Sequence, residues 1–80
     1  MIQEEKQKEI RSELEDLTRE LVKLNDEADR LQVKIDKTDP VKQNAKLKEL
    51  CTQQMVLQNT IKSKENRRNH LINLLNVIPN

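Results

Sequence analysis

Glycine, phenylalanine, tyrosine and tryptophan are absent from these 80 residues, and cysteine occurs once. Without glycine or aromatic side chains there is little to build a rounded globular core, and no glycine-rich loop exists to cradle a phosphate. The single cysteine, Cys51, excludes an internal disulfide framework and fits a reducing compartment. Proline stands only at positions 40 and 79, so nothing interrupts a helix before the midpoint. No apolar run approaches the roughly 18 residues of a membrane span, and the acidic first residues are unlike a secretory or organellar leader. The expectation is one small soluble cytoplasmic domain, without cofactor, metal, small-molecule substrate or membrane partner.

What the chain does have is a seam. Ile10, Leu14, Leu17, Leu21, Leu24, Ala28, Leu31 and Ile35 are spaced alternately four and three apart. An average spacing of 3.5 residues holds one narrow apolar stripe on a single side of an α-helix and requires a second helix to cover it. The spacing predicts a helix over 2–37, with Glu4 and Glu5 at its positive end and Lys34 and Lys37 at its negative end. Glu13, Glu20 and Glu27 share one flank of that helix and read as a solvated face.

Thr38-Asp39-Pro40 marks a stop and a restart. Asp39 can cap a following helix whose first position Pro40 takes without losing a hydrogen bond, while the proline discourages Asp39 from remaining helical. The expected turn is 38–39, followed by a second helix over 40–78 and an antiparallel hairpin. The second seam is weaker: Leu47, Leu50, Gln54, Leu57, Ile61, Lys64, Arg68, Leu71, Leu75 and Ile78. Folding at residue 39 pairs Leu31 with Leu47, Ala28 with Leu50, Leu24 with Gln54, Leu21 with Leu57 and Leu17 with Ile61. Glu13 then lies near Arg67 and Arg11 near Glu65, whereas Leu14 and Ile10 face Lys64 and Arg68.

Two stretches carry more than seam packing requires. Leu71, Ile72, Leu74, Leu75 and Ile78 are apolar on more than one face, so they read as a surface for another helix or a second copy, as in a four-helix bundle. At the hinge, Arg30, Lys34, Lys37, Lys42, Lys46 and Lys48 stand against only Asp36 and Asp39, a basic tip able to touch a phosphate backbone. This tip is part of a wider asymmetry. Met1 to Asp29 holds five Lys/Arg against ten Asp/Glu, and Arg30 to Asn80 holds ten against four.

Catalytic material is scarce. His70 has no carboxylate or thiol at ligand spacing and reads as an interface histidine, Cys51 beside Leu50 reads as a partly buried thiol, and Met55 and Val56 read as thickening a packing face. The acidic pairs Glu4-Glu5 and Glu15-Asp16 read as solvated helix charges. No enzymatic activity is expected.

Leu74-Leu75-Asn76-Val77-Ile78-Pro79-Asn80, together with the hairpin, resembles the N-terminal coiled-coil arm of seryl-tRNA synthetase. Residues 27–37 occupy the place of that family's arm signature, which Glu27, Leu31, Ile35 and Lys37 match. The family usually carries arginine and asparagine at the places of Ala28 and Asp29, serine and lysine at those of Gln32 and Val33, and glycine at that of Asp36. The resemblance implies that the hinge half touches a structured tRNA through Arg30, Lys34, Lys37, Lys42, Lys46 and Lys48. It also implies a catalytic domain beyond Asn80.

The sequence as a whole gives an all-α, antiparallel two-helix coiled-coil hairpin, self-associating into a helical bundle. Its expected work is structural, a protein–protein interaction module for oligomerisation or partner-helix binding, with a tRNA-binding arm as the alternative.

Overall fold

The computed structural model describes residues 2–77, and their side chains from residue 4 onward. Two helices, α1 (Ile2–Lys37) and α2 (Asn44–Val77), lie side by side as an all-α hairpin. The rod measures 62 × 15 × 13 Å between Cα extremes, close to the roughly 54 Å that 36 residues of helix should span. No helix among the described residues is long and apolar enough to cross a membrane.

The turn is longer than the sequence suggests, and α2 begins at Asn44 rather than Pro40. Thr38 closes α1: its amide donates to Ile35 O at 3.1 Å and its buried hydroxyl donates to Lys34 O at 2.6 Å. Asp39 does cap, its Oδ1 accepting from the amides of Val41 (2.8 Å) and Lys42 (3.3 Å). What it caps is a single turn, closed by the Gln43 amide on Asp39 O at 2.9 Å. Packed helices lie about 8–10 Å apart, and residues 38–43 cross that gap before the regular helix resumes.

Those four extra residues move the register of the hairpin by one helical turn. Leu21 and Ala28 share a cluster with Ile61, against which Leu24 and Leu57 pack; Gln54 reaches Ala28 rather than Leu24, and Lys64 reaches Glu20 rather than Leu14. A slip of four residues returns an α-helix to nearly the same face, because the period is 3.6. Every expected seam position among the described residues is accordingly buried or half-buried, in both helices.

The core forms two clusters. Ile10, Leu17 and Leu71, joined by Leu14 and Leu75, fill the end where the termini lie; Leu21, Ala28 and Ile61, joined by Leu24 and Leu57, fill the middle. Lys64 and Arg68 interrupt the α2 seam between Ile61 and Leu71. Lys64 escapes sideways, its Nζ 2.6 Å from Glu20 Oε2, while Arg68 Nε is buried without a hydrogen-bond partner. Gln54 is accommodated opposite the small Ala28, where its Nε2 donates to Ala28 O and to Gln32 Oε1, each at 3.2 Å. No large side chain among the described residues is wholly enclosed.

Candidate functional site

Packing two amphipathic helices leaves each with two flanks beside the seam, and here the flanks differ. On one, Arg67 donates through Nε and a terminal nitrogen to the two carboxylate oxygens of Glu13 at 3.2 Å each, and Lys64 pairs with Glu20. Glu13 and Glu20 stay substantially exposed, as a solvated face does, but each is also paired with a cation of α2. The expected Arg11–Glu65 pair does not form, because the one-turn slip separates its members.

Further toward the hinge, the charged flank opens into a groove of about 590 Å³. Leu24 and Leu31 of α1 and Val56 and Leu57 of α2 supply its apolar surface, and Glu27, Arg30 and Lys34 stand along its α1 side. Val56 is 61% exposed, and Met55 is exposed as well, so neither thickens the packing inside the hairpin as its sequence position suggested. Both lie outside the seam, where the single partner helix does not reach. The same reason leaves Cys51 an exposed free thiol rather than a partly buried one, and leaves His70 exposed.

At the open end, Leu71 is 2% exposed within the first core cluster and Leu75 packs half-buried against it. A partner approaching this end would meet Ile72 (41% exposed), Leu74 (36%) and Val77 (77%). Ile78 lies outside the described residues. At the hinge end, Arg30, Lys34, Lys37, Lys42, Lys46 and Lys48 are all exposed, and none of their side chains makes an ion pair or hydrogen bond among the described residues. Two cations of the open half, Lys64 and Arg67, are by contrast paired with carboxylates across the helix pair. Among the described residues no three His, Cys, Asp or Glu side chains converge as metal ligands do.

No protein-family model, curated protein or solved structure matches the chain. The likeness to the seryl-tRNA synthetase arm therefore rests on the residues quoted for it.

Proposed function

We propose that this hairpin is a non-catalytic interaction module of the cytoplasm, a coiled-coil pair whose uncovered apolar side chains bind another helix or a second copy. The observation that carries this reading is the exposure of Ile72, Leu74 and Val77 beside a core that already encloses Leu71. Large apolar side chains clustered at one end of a short helix pair lose contact with water when a further helix covers them, at about 25 cal/mol per Å². Sedimentation tests it. The parent should run above its monomer mass of 9.5 kDa, and Ile72→Asp with Leu74→Asp should lower the mass at which it sediments. Equal sedimentation of parent and variant would remove the open end from the interface.

A second reading has a specific support in the six unneutralised cations at the hinge end. A rigid rod tipped with unpaired lysines suits the phosphate backbone of a structured RNA, as the resemblance to a tRNA-binding arm implies. It requires an electrophoretic shift with tRNA at low salt that Lys34→Glu, Lys42→Glu and Lys46→Glu abolish together. No shift at low salt would dispose of it.

A further inference from the structure

The groove toward the hinge carries charges of both signs that the hairpin itself leaves unsatisfied. Glu27 and Arg30 are three residues apart on α1, the same spacing and order of charge as Asp16 and Arg19, which close a 2.6 Å ion pair. Glu27 makes no such pair with Arg30, and neither Arg30 nor Lys34 finds another carboxylate. All three line the opening above Leu24, Leu31 and Val56 instead.

We infer that this groove seats the same groove of a second copy, the two hairpins running antiparallel about a two-fold axis that crosses α1 near residues 29 and 30. An interface on a two-fold axis must be self-complementary, each patch meeting its own image. Here the axis places Glu27 of either copy between Arg30 and Lys34 of the other, so that one contact made twice answers all three unpaired charges. Glu27 and Lys34 are two turns apart, about 10 Å along the helix, and a partner helix running antiparallel matches that spacing. A groove meant for an acidic segment would not present Glu27, and one meant for a basic segment would not present two cations.

The apolar contacts agree in kind. Val56 and the half-buried Leu24, Leu31 and Leu57 would lose their remaining exposure. With the axis near residues 29 and 30 only the hinge half of each rod overlaps the other, so the interface is smaller than the roughly 800 Å² per partner of ordinary stable complexes and leans on the matched charges of the groove. The inference rests on the association reading above but assigns a different surface to the second copy than the open end.

The test is a charge exchange between separately prepared full-length chains, with helicity checked by circular dichroism. Glu27→Lys alone sets cations against cations, and Arg30→Glu with Lys34→Glu sets carboxylates against carboxylates; each should weaken the dimer about tenfold or more in sedimentation equilibrium. Mixed in equal amounts, the two variants should recover the parent's association as a heterodimer, because every contact is then of opposite sign. A parent dimer indifferent to both changes would overturn the groove while leaving association intact. Variants that turn monomeric and stay so on mixing would also overturn it. A parent that is monomeric throughout would overturn the groove and the self-association together, leaving only binding to a different helix.

Discussion

The two helices are nearly equal in length but are not built alike. In α1, all eight seam residues are buried or half-buried, only Val22 and Val33 among the large apolar side chains described are substantially exposed, and acids open and bases close the helix in harmony with its dipole. In α2, Gln54, Lys64 and Arg68 occupy seam positions, while Met55, Val56, Ile72, Leu74 and Val77 face water, and neither terminal turn carries a helpful charge. A helix with one stripe needs one partner. A helix apolar on several sides and polar in its own seam gives up strength inside the hairpin and keeps surface for contacts outside it. The proposed functions accordingly draw on α2 for apolar contacts and on the hinge half of α1 for charge.

The largest effects should come from the shared core. Leu21→Ala removes a side chain enclosed against Ala28 and Ile61, and should cost about 2–4 kcal/mol in urea unfolding followed by circular dichroism. The same measurement on Val22→Ala, one residue along on the exposed side, should move stability by less than about 0.5 kcal/mol. Equal losses at the two positions would mean that α1 has no privileged stripe. Arg68 reverses the sign. Its Nε is buried and unpartnered, so Arg68→Leu should stabilise the hairpin by about 1 kcal/mol. Gln54→Leu should gain less, because relief of its own buried, unpartnered Oε1 is offset by loss of the hydrogen bonds from Nε2 to Ala28 O and Gln32.

How far the sequence reveals such positions depends on what kind of information each needs. Which face of each helix is covered follows from spacing alone, and the seam from Ile10 to Leu75 is covered throughout the described residues. Which residue meets which does not follow from spacing. A seam that repeats every three and four residues matches its partner about equally well after a slip of one turn, and the choice passes to the connection. Asp39-Pro40 reveals where a cap forms, but not that the capped turn ends at Gln43 and α2 starts afresh at Asn44. The Glu13–Arg67 pair survived this because long side chains tolerate a small offset, whereas Arg11–Glu65 did not, and Lys64–Glu20 could be found only with the correct register. The hinge-end cations are legible as a charge run. The groove is not, since it depends on Val56 and Lys34 being brought to one side of a folded pair.

The smallest effect is also the most direct measure of that register. Asp39→Ala removes the acceptor for two amides and should cost about 1 kcal/mol without changing which residues pair. A double-mutant cycle then reads the pairing itself. Glu13 is held by two nitrogens of Arg67, and Glu20 by the single ammonium of Lys64. Both pairs are substantially solvent-exposed. Each coupling should therefore fall within about 0.2–1 kcal/mol, shrink as salt is raised, and be the larger for the forked Arg67 contact. The cycle between Glu20 and Lys64 separates the two registers most cleanly. In the pairing expected from the sequence Lys64 faces Leu14 and the coupling is zero; a measurable coupling requires the one-turn slip that the six residues at 38–43 introduce.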